Sequence, residues 1–237
     1  MLKRERLHPY HYTTVQDLIL PQDPASRLAF CRELIERDRA SRHFLSCISW
    51  TDESQFTRNG IVNTHNEHEW AHENPHAKKT KSFQTWFSVW AGIIRNVLIG
   101  PFILPDMLNA ENYREFLIET VEPELLENAP LIARREGLIY QHDGCPAHNA
   151  LIVRHWLDER FPGRWIGRGG PITYLRHWTF FLWGCMKALV YYVRIDTKEQ
   201  LIERIMQAGE TVREQMRNID MCDAVRRRLR LCLEQNG

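Results

Sequence analysis

Beyond residue 43 the apolar residues of this chain change period again and again, and the order of those changes limits its possible folds more than any single motif does. FLSCISW (44–50), FQTWFSVWAGII (83–94) and VLIGPFIL (97–104) are short, continuous runs rich in β-branched and aromatic residues, the pattern of buried strands. IVNTHNEHEW (61–70), entered through Asn59-Gly60, reads as a further strand after a tight turn. From Asn109 the spacing is helical: Tyr113, Phe116, Leu117 and Val121 fall on one face, Glu111, Glu115 and Glu119 on another. GLIYQHD (137–143) returns to a strand. A helix follows from about residue 147 to 161 and stops at Pro162-Gly163, GRWIG (163–167) is a short strand, and 180–233 is mostly helix. Strands, then helix, strand, helix, strand and helices, predict an α/β fold built on a mixed sheet flanked by helices. PASRLAFCRELIERDRA (24–40) adds an amphipathic helix, which makes residues 1–43 an N-terminal arm with one helix ahead of a body at 44–237.

With 237 residues, 43% hydrophobic and 26% charged, the chain carries enough apolar material for one globular domain, which excludes collagen-like, low-complexity and disordered classes. A mean hydropathy of -0.44 and the lack of a long charge-free apolar run predict no membrane-spanning helix and no membrane partner. MLKRERLHPYHY has no apolar stretch behind its basic residues, so it does not read as a signal peptide. Cys31, Cys47, Cys145, Cys185, Cys222 and Cys232 form no CxxC pair, which points to reduced thiols rather than a disulfide scaffold or a cysteine-ligated zinc. The net charge is only +1, but residues 44–153 sum to −6 and residues 154–237 to +5. An acidic middle beside a basic last third suits a cation site next to a polyanion-binding surface; it equally suits ordinary solvated helices.

Two motifs carry candidate chemistry. His68-Glu69-Trp70-Ala71-His72 is a literal HExxH, which on a helix places two imidazoles on one face for zinc with a glutamate as base. Its context is wrong for a zinc metallopeptidase: it follows an Asn-Gly turn and a β-branched run, Asn74-Pro75 cuts off any helix, Lys78 stands where an extended motif needs histidine, and His65 and His76 mark a polar loop. Asp52 and Asp143 are better placed, each at the end of an apolar strand. Two such strands side by side bring both carboxylates to one Mg²⁺ or Mn²⁺, which takes oxygen ligands; each aspartate can also simply cap the turn that follows it.

WTDESQFTRNG, HEWAHENPH, VWAGI, GPFILP, YQHDGCPAHN, WLDERFPGRWIGRGGPI and FFLWG, in this order and spacing, resemble the transposases of mariner-type DNA elements, and the resemblance runs from about Leu7 to the C-terminal helices. It implies a ribonuclease-H-like fold with three catalytic acids that hold two divalent ions for phosphodiester cleavage and strand joining. By position, Asp52 matches the first acid and Asp143 the second, both as catalytic residues and as Mg²⁺ or Mn²⁺ ligands. His142, His148 and Asn149 border the second acid and shape the site at most. DNA is the implied partner, a homodimer the implied assembly and the nucleus the implied location.

The chain departs from that family pattern at the third acid. Where members carry a block like WPPRSPDLTPLD between GRGGPI and FFLWG, this chain reads TYLRHWT (173–179), and no Asp or Glu occurs between Glu159 and Asp196. Asp158, Glu159 and Asp196 are not in register to replace it. Codons for Leu-Thr-Pro-Leu-Asp with one base deleted give Leu-Arg-His-Trp-Thr, the string at 175–179, so a frameshift is the hypothesis and sequencing the genomic locus is its test. Arg176, His177 and Trp178 then bring a cation and bulk close to the site, which predicts a transposase remnant impaired in catalysis, with non-catalytic DNA or protein binding as the alternative. The resemblance starts after the family's N-terminal helix-turn-helix units. The expected DNA contacts are therefore salt-sensitive backbone contacts from the basic last third, including Arg226, Arg227, Arg228 and Arg230.

Overall fold

A computed structural model describes residues 22–57, 86–172, 182–219 and 221–236. Among them, five strands form one mixed sheet in the order β3-β2-β1-β4-β5. β1 (Ile48–Thr57), β2 (Trp86–Ile94) and β3 (Val97–Ile103) pair antiparallel, while β4 (Ile139–Gln141) and β5 (Trp165–Ile166) run parallel to β1. β2 and β3 need only the two-residue turn Arg95-Asn96, with Arg95 in the left-handed region at φ 56°. The parallel pairs need crossovers. α2 (Ala110–Phe116), a widened π-helical turn (Leu117–Val121), α3 (Glu122–Asn128) and α4 (Leu131–Glu136) lie between β3 and β4, and α5 (Leu151–Arg160) lies between β4 and β5. This is the mixed α/β arrangement that the changes of period predict.

β2 shows why the sheet must be covered twice. Val89, Ala91 and Ile93 alternate with Trp90 and Ile94, and all five are buried. On one face Trp90, Ile94 and Tyr140 pack with Tyr113 and Leu117, with Val153 and Leu157 of α5, and with Val225 and Leu229 of α8 (Met221–Glu234). α1 (Gln22–Ala40) places Phe30, Cys31 and Leu34 in that same core, against α8, and Arg226 of α8 grips Asp38 with two N–H donors at 2.7 and 3.2 Å. The helix of the N-terminal segment is thus packed into the body. The opposite face carries α6 (Leu182–Val190) and α7 (Lys198–Met216), which bury Leu182, Met186, Leu201, Ile205 and Val212 on Val89, Ala91 and Ile93. α7 is started by a capping box between Thr197 and Gln200 and approaches β3 closely at Gly209, where a Cβ atom would lie 2.4 Å from Pro101 Cδ.

Two boundaries differ from expectation. The apolar run at 44–50 begins as a 3-10 turn (Leu45–Cys47), and β1 runs on through the polar TDESQ to Thr57, because nine consecutive register pairs with β2 satisfy its backbone. Asp52 is therefore mid-strand, not at a strand end. The helix expected from residue 147 starts at Leu151: Ala150 is extended (φ −63°, ψ 148°) and separates a preceding turn from α5. The strand expected at 61–70, the HExxH at 68–72, the altered block at 173–179 and the first 21 residues lie outside the described residues.

Candidate metal centre

The last parallel pair between β1 and β4 is Trp50 with Gln141, and two residues further along each chain stand Asp52 and Asp143. One register thus brings both sequence-predicted aspartates to the same end of the sheet. β1 continues beyond that point paired only to β2, and its alternation sends neighbouring acids to opposite faces. Asp52 stands opposite Ala91 and faces α6: its Oδ2 accepts the Trp183 indole N–H at 3.0 Å. Trp183 packs edge-on against Phe56 at 6.0 Å, and Lys187, one turn later, lies 5.5 Å over the same ring. Glu53 stands opposite Trp90 on the other face, where its Oε1 lies 3.4 Å from His148 Nε2.

Asp143 lies two residues past the end of β4, in the loop to α5. Its Oδ1 accepts two bonds, from the Cys145 backbone N–H at 3.0 Å and from His148 Nδ1 at 2.5 Å. His148 is 1% exposed and stacks on Tyr113, with ring centroids 3.9 Å apart, and on His142 at 5.5 Å. Tyr113 in turn shares a hydroxyl hydrogen bond with Tyr140 at 3.2 Å. Gly167 lets the chain after β5 pass this stack, since a Cβ there would lie 2.3 Å from His142 Nε2. The ring of His148 is therefore fixed in plane and in position before any ligand arrives.

These contacts gather one donor atom each from Glu53, Asp143 and His148 within 4.8 Å of one another. Asp52 is not in that group, although its charge and that of Asp143 act on one another. Sequence reasoning found Asp143, left His148 at the border and passed over Glu53. The available signals were the adjacency of Glu53 to Asp52 on a strand and the five-residue step from Asp143 to His148.

The charges are poised unequally. Burial pushes the Glu53 carboxyl up to about 7, with Asp143 and Asp52 adding to the rise and His148 opposing it. Burial also raises Asp52, against the pull of its backbone bond and of the Trp183 N–H. For Asp143 burial works upward too, but the His148 bond and charge and the Cys145 N–H together hold it below the usual carboxylate range. His142 is lowered to about 3, by burial first and by His148 second, and so is neutral. Burial lowers Lys187 and Asp52 partly restores it.

No protein-family model and no curated protein matches the chain. Solved structures do. The Mos1 transposase catalytic domain with raltegravir and Mn matches at a TM-score of 0.68 and 16% identity, over 94% of this chain and 98% of that one. A pre-cleavage Mos1 transpososome gives 0.71 at 18%, over 100% and 69%, and the mariner Mos1 paired-end complex with Mg gives 0.72 at 17%, over 100% and 68%. The chain has the fold of the mariner transposase catalytic domain. At these identities the likeness is one of fold, and it agrees with the ribonuclease-H-like arrangement expected from the sequence blocks.

On that mariner-type fold, the residues at the sheet end fit a divalent ion on their own chemistry. Asp143 spends both of its bonds on Oδ1, leaving Oδ2 for an ion. His148 Nε2 is buried without a hydrogen-bond partner and faces a carboxylate. Two of the other acids considered from sequence are engaged elsewhere: Asp158 accepts the Trp165 indole N–H at 2.8 Å, and Asp196 pairs with Arg194 at 2.9 Å. Arg226 is taken up by Asp38 and Asp223, and Arg227 and Arg230 are exposed along α8.

Proposed function

We propose that the protein is a transposase-derived domain of the mariner type that binds DNA and acts on its phosphodiester bonds with divalent ions, at a rate cut by the loss of the third acid. The observation that carries this reading is that Asp52 and Asp143 each stand two residues beyond the last β1–β4 pair, on a fold shared with Mos1 structures solved with a transposon end and with Mn or Mg. In such a site Mg²⁺ or Mn²⁺ supplies an activated water or 3′-hydroxyl and charge stabilisation for the leaving oxygen. Asp143, aimed by the Cys145 N–H and by His148, and Asp52, aimed by Trp183, are the carboxylates that hold the charge there. With no acid between Glu159 and Asp196, the missing ligand costs roughly 10³-fold or more in rate. The exposed arginines of α8 supply sequence-independent contacts to phosphates, pairing of two copies follows the mariner pattern, and the nucleus is where such a substrate lies.

A purely non-catalytic DNA-binding role is the second reading, favoured by TYLRHWT in place of the acid-bearing block. One experiment decides between them. Duplex binding is followed against salt, and nicking of supercoiled plasmid is followed with Mn²⁺, with Mg²⁺ and with EDTA, in wild type and Asp143→Asn. Slow Mn²⁺-dependent nicking lost in Asp143→Asn supports the enzyme; salt-sensitive binding without nicking supports the second reading. No binding at low salt sinks both.

A further inference from the structure

We propose that Cys31 and Cys232 form an oxidisable dithiol, which a peroxide converts to a disulfide that fastens α1 to α8. The two helices meet at points that repeat along both of them. Arg226 of α8 holds Asp38 of α1. Two turns back along α1 stands Cys31, two turns on along α8 stands Cys232, and the two thiols are in side-chain contact. Contacts that step backward on one helix as they step forward on the other describe an antiparallel pair, and about seven residues return each helix to the same face. Between the two contacts Leu34 and Leu229 fill the shared core, both 0% exposed. A disulfide needs side chains that already face each other, and this packed seam supplies them.

The two sulfurs have different parts. Cys31 is fully buried, and burial together with the neighbouring Cys232 pushes its thiol up to about 12, so it keeps its proton. Cys232 is only half-buried, so a small oxidant reaches its sulfur first. That sulfur attacks one oxygen of hydrogen peroxide, the O–O bond breaks, and the products are a Cys232 sulfenic acid and water. The Cys31 sulfur then attacks the Cys232 sulfur, the S–O bond breaks, and the hydroxyl leaves with the Cys31 proton as a second water. The two thiols give up two electrons and the peroxide takes both. Arg27, one turn before Cys31, is the positive charge that favours loss of the Cys31 proton. α8 brings a second cysteine, Cys222, close to Cys47 and to Ser46 Oγ at 3.5 Å, but both of those cysteines are buried and closed to an oxidant. Access therefore singles out the Cys31–Cys232 pair. Its bridge closes a loop of roughly 200 residues and ties the first described helix to the last.

The inference needs neither DNA nor metal, so it stands or falls apart from the proposed function. The full chain is treated with hydrogen peroxide in the folded state and in urea, then denatured, alkylated, digested and mapped by mass spectrometry, with a portion of each sample first reduced by dithiothreitol. The folded protein is expected to yield a peptide pair joined through Cys31 and Cys232, with Cys47 and Cys222 recovered as alkylated thiols. Dithiothreitol returns Cys31 and Cys232 to thiols, and the chain in urea shows no preference for this pair. Closing so long a loop raises the thermal unfolding midpoint by roughly 5–15 °C. That rise is reversed by dithiothreitol and absent in Cys232→Ser. Cys232 recovered as sulfinic or sulfonic acid beside an unreacted Cys31, a Cys47–Cys222 bridge in its place, the same pairing in urea, or a bridge without a rise in midpoint overturns the proposal. The wild-type map decides even if Cys232→Ser fails to fold. A mapped bridge in a protein that neither binds nor nicks DNA removes the proposed function and leaves this site. Nicking by a protein that forms no bridge does the reverse.

Discussion

Replacing Glu53 by glutamine removes one negative charge without changing side-chain size, and its effect on the stability of metal-free protein has a definite sign. Burial holds the Glu53 carboxyl at about 7, against 4.5 for an ordinary glutamate. Between those two values the folded chain keeps a proton that the unfolded chain has already released, so stability falls as pH rises through that window and stays reduced above it. A tenfold change in an ionisation constant is worth about 1.4 kcal/mol, so this one group withholds about 3 kcal/mol above pH 7. Glu53→Gln has no such proton to lose. Asp143 does not interfere, because a carboxyl held low changes stability only below its ordinary value of 3.8. Asp52, raised by burial, leaves a residual slope of the same sign in both proteins.

The assay is thermal unfolding in EDTA across pH. In a chain of this size each kcal/mol moves the midpoint by about 2–4 °C, so near pH 8 the variant should melt about 6–12 °C above wild type, and the two should converge toward pH 5. Equal pH slopes for the two proteins in EDTA refute the reasoning, because they mean that Glu53 ionises in the folded chain as it does in water.

Trp183→Phe keeps an aromatic edge against Phe56 but deletes the N–H that Asp52 Oδ2 accepts; unfolding near pH 8 should show a loss of about 1.5–3 kcal/mol, and carboxyl NMR a higher titration point for Asp52. Arg226→Ala strips Asp38 of two N–H donors at a partly exposed contact, and a loss of about 1–2 kcal/mol with faster amide exchange in α8 is expected. Gly209→Ala drives a methyl group to 2.4 Å from Pro101 Cδ and should cost about 1–3 kcal/mol in the unfolding midpoint by pushing α7 off β3.

The sheet was legible because its strands are buried on both faces: a continuous apolar run such as WFSVWAGII admits no amphipathic helix, and its hairpin with VLIGPFI follows from proximity. The extent of β1 was not legible. TDESQ is polar, and what makes it a strand is backbone pairing with residues that lie more than thirty positions away in sequence, which periodicity does not register. The same blindness hid half of the candidate site. Asp52 and Asp143 each follow an apolar run, so a local rule finds them. Glu53 becomes visible only when alternation along β1 is combined with the place of α2 and of the 142–150 loop on that face. His148 needs the further fact that Tyr113 closes over its ring at 3.9 Å.

The two aspartates at the sheet end are fixed by different parts of the chain, and this bears on what a damaged third-acid block can leave behind. Asp143 takes its orientation from its own loop, through Cys145 and His148, and owes nothing to the C-terminal helices. Asp52 takes its orientation from Trp183, the second residue of α6, in the FFLWG block that follows directly on the altered residues 173–179. That block is intact in sequence, and its anchors Leu182, Met186 and Val190 are buried on the sheet independently of any metal. On the function proposed above, loss of the acid would remove one ligand while the support of Asp52 and Asp143 persists. On that proposal, chemistry would fail before cation binding does. A protein of this kind should hold its ion, keep its fold and still turn over DNA poorly, which is why metal binding and strand cleavage must be measured separately.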